Sequence, residues 1–190
     1  HRIDKDTSGL LVVAKTPDAK TNLGKQFFNK TTKREYVAVV WGVPSPSQGT
    51  VEGNIGRSMR DRLQMAVYPA GGDQGKHAVT HYSLIENYVH LSAVKCVLET
   101  GRTHQIRVHM KHIGHPLFND ARYGGDQILR GVKTARYSQF IRNCMDLCPR
   151  QALHARTLGF THPATGEEMF FTAPIPADME VLMEKLRGSF

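Results

Sequence analysis

The apolar residues switch between two spacings along the chain, and the switches mark the elements. Leu10-Leu11-Val12-Val13-Ala14, within Gly9 to Lys15, is an unbroken apolar run that fits a short buried strand. At Thr16-Pro17-Asp18 the pattern changes: Thr16 suits a helix cap, Pro17 the first helical position, and Ala19, Leu23 and Phe27 recur at steps of four. This predicts a helix ending near Asn29. From Lys33 to Trp41 the chain returns to strand chemistry, with Tyr36, Ala38 and Val40 alternating with Val37, Val39 and Trp41.

Gly42 to Gly75 is broken by prolines and glycines and carries Arg57, Arg60 and Arg62 in its middle. It reads as short strands and exposed loops. Ala78 to Ile85 and His90 to Thr100 form a predicted antiparallel pair joined around Asn87. Ile106, Met110 and Ile113 then lie at i, i+4 and i+7, giving a helix with Thr103 near its cap and Gly114 just past its end. His104, Arg107 and Lys111 make a basic stripe on another face of it. Phe118 to Gly125 is a polar loop, and a helix is expected around Tyr137 to Met145. Ala152 to Phe160 and Glu168 to Thr172 read as strands about a Pro163-Ala164-Thr165-Gly166 turn, and Ala177 to Leu186 as a final amphipathic helix. Strand groups interrupted by few helices argue for an α+β fold on a mixed, mainly antiparallel sheet.

At 190 residues the chain suits one domain, and 40% hydrophobic with 22% charged residues is an ordinary globular balance. No apolar run approaches the roughly 20 residues of a membrane span, and no basic-plus-apolar leader marks it for export. His at position 1, where Met is usual, suggests part of a longer chain. Cys96, Cys144 and Cys148 have no disulfide-framework spacing and are expected as free thiols in a reducing cytosol. The net charge is +8, from 25 Lys+Arg against 17 Asp+Glu, with a pI near 9.6. Such a surface favours a polyanion partner, and nucleic acid fits that description.

His1-Arg2-Ile3-Asp4-Lys5-Asp6-Thr7-Ser8-Gly9 is the densest polar segment. Arg2 and Asp4 share a face in an extended stretch, so the carboxylate can be held ionised and aimed. Asp-x-Thr-Ser-Gly is equally good turn chemistry, so Asp4 can be a turn residue or a catalytic one. Tyr36 on an apolar strand can be core or catalytic, and Arg107 is the best counter-ion for a desolvated Asp4. Asp4 and Asp6 stand too close together, and too near cations, for a glycosidase pair. His104, His109, His112 and His115 match no zinc-site spacing. P-loop, GxGxxG and GxSxG signatures are missing, which leaves nucleotide hydrolysis, dinucleotide redox and serine-hydrolase chemistry without support.

Three segments carry a resemblance in order: His1-Arg2-Ile3-Asp4-Lys5-Asp6-Thr7-Ser8-Gly9-Leu10, Arg34-Glu35-Tyr36-Val37-Ala38 and Gly101-Arg102-Thr103-His104-Gln105-Ile106-Arg107-Val108-His109-Met110. Together they resemble the RluA/RluD family of RNA pseudouridine synthases. His115-Pro116-Leu117, Tyr123-Gly124-Gly125, Arg150-Gln151-Ala152-Leu153-His154-Ala155 and Ala173-Pro174-Ile175-Pro176 fit its RluD-like branch.

The resemblance implies a sheet flanked by helices, crossed by a central RNA-binding cleft. It implies conversion of uridine to pseudouridine in large-subunit (23S) ribosomal RNA, without cofactor or metal, in the cytoplasm. By motif match Asp4 is the catalytic aspartate, whether it attacks the base, attacks the sugar or abstracts a proton at C2′. Arg107 is its ion-pair partner, and Tyr36 stacks on the target base. Arg2 fills the gap left by the extruded nucleotide, Arg102 and His104 contact RNA, and Leu153 helps wall the pocket. RNA is the implied partner, with neither DNA nor a membrane, and the chain is expected to be a monomer. Family members have further strands before the His-Arg-x-Asp motif, and RluD-like ones often an S4-type RNA-binding domain before those. Residues 1–190 are therefore expected to be a catalytic domain lacking its N-terminal part. The alternative is a non-catalytic RNA-binding or ribosome-assembly module on the same fold.

Overall fold

The computed structural model describes residues 1–188. Its centre is β2 (Lys33–Trp41), the strand whose apolar residues run unbroken from Val37 to Trp41. A strand buried on both faces needs apolar side chains at every position, not at alternate ones. Val37, Val39 and Trp41 enter one core with α3 (Ala135–Leu147) and α4 (Ala177–Arg187). Ala38 and Val40 enter a second core with Ile106 and Met110 of α2 (Gln105–His112), and Tyr36 packs at its margin. The two-sided alternation thus sorts β2 into a structural face and a face shared with the site.

The sheet order is β1-β7-β2-β6-β5-β3-β4, with β8 also on β7. Here β1 is Ser8–Gly9, β3 Gln48–Arg57, β4 Met65–Tyr68, β5 Lys76–Asn87, β6 Leu91–Leu98, β7 Leu153–Thr161 and β8 Glu168–Thr172. Every pairing is antiparallel except that of β1 with β7. This is the mixed, mainly antiparallel α+β sheet expected. Helix α1 (Pro17–Phe28) is capped by the Thr16 side chain, which accepts from the Ala19 amide at 3.2 Å. The β5–β6 turn forms as expected: Asn87 Oδ1 accepts from the Val89 amide at 2.7 Å while Val89 takes a φ of 69°. No helix among the described residues is long and apolar enough to cross a membrane.

Three expectations need correction. The apolar run after Gly9 is not a buried strand: pairing stops at Gly9, with one further bond from the Leu10 amide to Ala155 O. Leu11 is 45% and Val13 74% exposed. From Thr157 onward β8 takes the edge of β7, so a strand parallel to β7 has no ladder to continue along. In the glycine-rich stretch, β3 is a ten-residue strand, longer than its composition suggests. Its glycines serve close packing: a Cβ on Gly53 would fall 2.6 Å from Val67 Cγ1 of the neighbouring strand. Finally, α2 starts two residues after Thr103, with His104 in the left-handed region (φ 55°) and no side-chain cap. The Thr103 hydroxyl accepts from Arg2 instead.

Candidate active site

The site begins with a tight turn. The Thr7 amide donates to Asp4 O at 3.1 Å, and Asp6 takes a φ of 66°, which a short polar residue tolerates. The segment just before β7 fastens this turn from below. Gln151 Nε2 donates to Lys5 O at 2.7 Å and to Thr7 Oγ1 at 3.2 Å. Arg150 donates to Asp6 O at 3.1 Å and Ser8 Oγ at 3.1 Å, and pairs with Asp178 at the start of α4 at 2.7 Å. The loop bearing Asp4 is thus tied to β7 and α4 by side chains from a single dipeptide.

Above the turn lies a cavity of about 400 Å³. Asp4 reaches it from the turn, Tyr36 from β2, Ile106 from α2 and Leu153 from the start of β7. Ile106 and Leu153 are buried members of the core shared with α2, so the floor is apolar and rigid. Arg2 and Arg102 stand exposed at the rim, and Arg102 Nε donates to His77 O at 2.9 Å. Burial pushes the Tyr36 hydroxyl above its ordinary pKa; the Arg34 cation opposes this and the Asp4 carboxylate adds to it. Tyr36 therefore stays protonated at neutral pH.

Arg107 comes to Asp4 from α2, with Nη1 at 3.4 Å from Oδ2. Its stronger partner is Asp120, which accepts from Nε at 2.7 Å and from Nη2 at 2.9 Å as a fork. Arg107 and Asp120 are 5% and 1% exposed, so this pair is buried, whereas the Asp4 side chain keeps 20% of its surface. Burial works against the Arg107 charge, but Asp120 and then Asp4 outweigh it and hold its pKa above the ordinary range. The guanidinium also lies 5.1 Å from the Tyr123 ring centre. One cation thus serves two carboxylates, the inner one fixing it and the outer one facing the cavity.

Five of the seven candidate residues meet at this cavity: Asp4, Tyr36, Arg2, Arg102 and Leu153. Arg107 stands directly behind Asp4 and is buried, so the expected basic stripe on α2 is not a uniform solvated face. His104 lies away from the cavity lining, with Nδ1 2.7 Å from the Tyr123 hydroxyl. That hydroxyl accepts from the Met65 amide at 3.0 Å, so its own proton goes to His104. Burial and the Arg107 charge lower the His104 pKa, consistent with a neutral, accepting Nδ1. Asp120, Arg150 and Gln151 were not among the expected site residues, although Arg150 and Gln151 lie in a segment that carries the resemblance. Asp120 sat in what looked like a polar loop, and only the fold reveals that it is buried opposite Arg107. No group of three His, Cys, Asp or Glu among the described residues is placed to hold a metal ion.

An Asp side chain braced by a buried arginine, facing a tyrosine over an apolar floor and rimmed by cations, suits a planar base taken from a polyanionic strand. Likeness to known proteins shows the family of the chain. The profile of the RNA pseudouridylate synthase family matches residues 1–112, more than half of the chain. The chain belongs to that family. An uncharacterised RNA pseudouridine synthase of Bacillus subtilis is 49% identical over 187 residues, covering 98% of this chain and 55% of that protein. Ribosomal large subunit pseudouridine synthase D of Neisseria meningitidis serogroup B is 47% identical over 193 residues, covering 98% of this chain and 47% of that protein. The chain spans about half the length of the curated relatives it matches. Among solved structures, human RNA pseudouridylate synthase domain containing 4 matches with a TM-score of 0.73 at 24% identity. That match covers 98% of this chain and 74% of that one, and it shows the fold.

Proposed function

We propose that this chain carries the active site of an RNA pseudouridine synthase that isomerises uridine in large-subunit ribosomal RNA. The observation that carries this reading is the Asp4 carboxylate, backed by Arg107 and facing Tyr36 across an apolar-floored cavity. The reaction breaks the N1–C1′ bond and forms a C5–C1′ bond. One proton leaves C5 and one is gained at nitrogen, so the RNA mass does not change. A base buried in a stack is out of reach, so the target nucleotide must be extruded. Tyr36 and the Leu153–Ile106 floor offer it a stacking surface, and Arg2 at the rim is positioned to fill the space it leaves. Asp4 acts on the base, on the sugar, or on the C2′ proton, and in each case it must be ionised. The proton leaving C5 needs a base, and Tyr36 can take it only after its own hydroxyl proton has passed to another acceptor.

Relatives named for the large ribosomal subunit, at 44 to 47% identity, support the choice of RNA. A net charge of +8 supports phosphate contacts that position the strand without reading its sequence. A cytoplasmic, monomeric enzyme that does not act on DNA belongs to the same reading. So does the placing of residues 1–190 as a catalytic domain whose remaining strands, and any S4-type domain, lie upstream. The test is to map pseudouridine in ribosomal RNA from a strain lacking the protein, then to restore it with wild type or Asp4→Asn. Loss of particular pseudouridines, restored by wild type alone, is expected. Restoration by Asp4→Asn would instead favour a non-catalytic assembly role.

A further inference from the structure

One lining residue of the cavity has chemistry that the reaction at Asp4 does not use. Arg34 precedes Tyr36 by two positions on β2, so the two side chains leave the strand on the same face, about 7 Å apart along it. Arg34 is 7% exposed and its backbone belongs to the β2–β7 ladder, yet its side chain has neither an ion-pair partner nor a hydrogen bond among the described residues. Its Nε is buried and unsatisfied. Its guanidinium lies 5.4 Å from the Phe27 ring centre. Gly101 leaves it room, since a Cβ there would fall 2.7 Å from Nη1. Burial lowers its pKa, and no carboxylate opposes the shift.

A buried cation without a counter-ion costs several kcal/mol, and such a charge is normally matched by a partner. The other buried arginine among the described residues, Arg107, has Asp120, and the half-buried Arg150 has Asp178. The cavity lining holds three arginines, Arg2, Arg34 and Arg102, against the single carboxylate of Asp4, which Arg107 already faces. Positive charge is therefore left over inside the cavity, and the planar fork of arginine matches a phosphate oxygen pair. We propose that Arg34 is a phosphate subsite, taking a backbone phosphate that flanks the uridine held against Tyr36. The strand spacing then fixes the distance between base pocket and phosphate pocket, so binding the phosphate would index the extruded nucleotide. This rests on the reading of the chain as an RNA-modifying enzyme.

The experiment uses the full-length protein and a short synthetic RNA spanning a uridine that it converts in large-subunit ribosomal RNA. Conversion by wild type checks the underlying reading on its own. Binding is then measured in an Asp4→Asn background, with neutral methylphosphonate replacing each phosphate near the uridine in turn. One flanking position is expected to weaken binding roughly 10- to 100-fold, the range for a hydrogen bond to a charged group. In Arg34→Gln that same position should have no further effect. The slope of log affinity against log salt should fall by about 0.7 in Arg34→Gln, one phosphate's worth on a single strand. Arg34→Lys, which keeps the charge, should retain that slope. If wild type converts the RNA but no position couples to Arg34, the subsite is wrong. An unchanged salt slope with a large loss of melting temperature also overturns it, and assigns the guanidinium to the fold.

Discussion

Replacing Asp120 with asparagine should damage a residue that never touches the cavity and still cripple the site. Asp120 is 1% exposed and takes two short bonds from Arg107, at 2.7 and 2.9 Å, while Asp4 lies farther from the same guanidinium at 3.4 Å. Asparagine keeps one acceptor but loses the negative charge, leaving the buried cation with Asp4 alone. Removing one partner of a buried ion pair costs about 3–5 kcal/mol, and the retained acceptor puts this variant near the low end, at about 3 kcal/mol. For a domain of this size that corresponds to a melting point lower by about 6–12 °C. The guanidinium should also swing toward Asp4, tightening that pair and holding the carboxylate out of its working position. Turnover should therefore fall at least about tenfold, equivalent to 1.4 kcal/mol of barrier, while RNA affinity changes little. Differential scanning calorimetry and single-turnover assays on the full-length protein measure the two effects. A melting point within 2 °C of wild type, together with unchanged turnover, would show that Asp120 does not hold Arg107.

Other positions give equally definite expectations. Arg150→Met removes the bonds from Arg150 to Asp6 O and Ser8 Oγ; turnover should drop more than affinity, and amide exchange across residues 4–9 should quicken. Leu153→Ala should cost about 2–5 kcal/mol by opening a hole in the apolar floor, read from denaturant unfolding. Burial, and then the charge of His112, hold the His109 pKa down at about 4, so the folded state refuses a proton that the unfolded state accepts near 6.5. Stability should therefore be complete above pH 6.5 and fall by up to about 3 kcal/mol as the pH drops to 4. His109→Gln should flatten that limb in urea titrations across pH, leaving the smaller share due to His104 and His154, which burial shifts the same way. The exposed Arg187–Glu86 pair sits at 2.7 Å, yet Arg187→Ala should cost under about 1 kcal/mol because solvent and salt screen it.

The sequence made the sheet legible where side chains alternate. β2 could be read residue by residue because each face meets its own core, and the β5–β6 turn because Asn87 carries the turn chemistry. Leu10 to Ala14 misled, since an apolar run reads the same whether a neighbouring strand accepts it or β8 has already taken the edge. The glycines of β3 misled in the opposite direction: they read as breakers but serve close strand packing. At the site, Asp4, Tyr36 and Arg107 stood out because each lies within a dense motif. Asp120 did not, because its meaning is a contact across 13 positions that loop chemistry does not foretell. Thr103 was expected near the helix cap and His104 in a basic stripe, but their side-chain hydrogen bonds run to Arg2 and Tyr123.

The most direct test gives the full-length wild type and its Asp4→Asn variant the same large-subunit ribosomal RNA transcript. Pseudouridine is then counted by chemical labelling and mass spectrometry. Wild type should form pseudouridine at defined positions with no change in unlabelled RNA mass. Asp4→Asn should bind the transcript comparably and form none. Pseudouridine made by the Asp4→Asn variant, or free uracil and cut strands released by wild type, would contradict the assignment of Asp4 as the residue that carries the isomerisation.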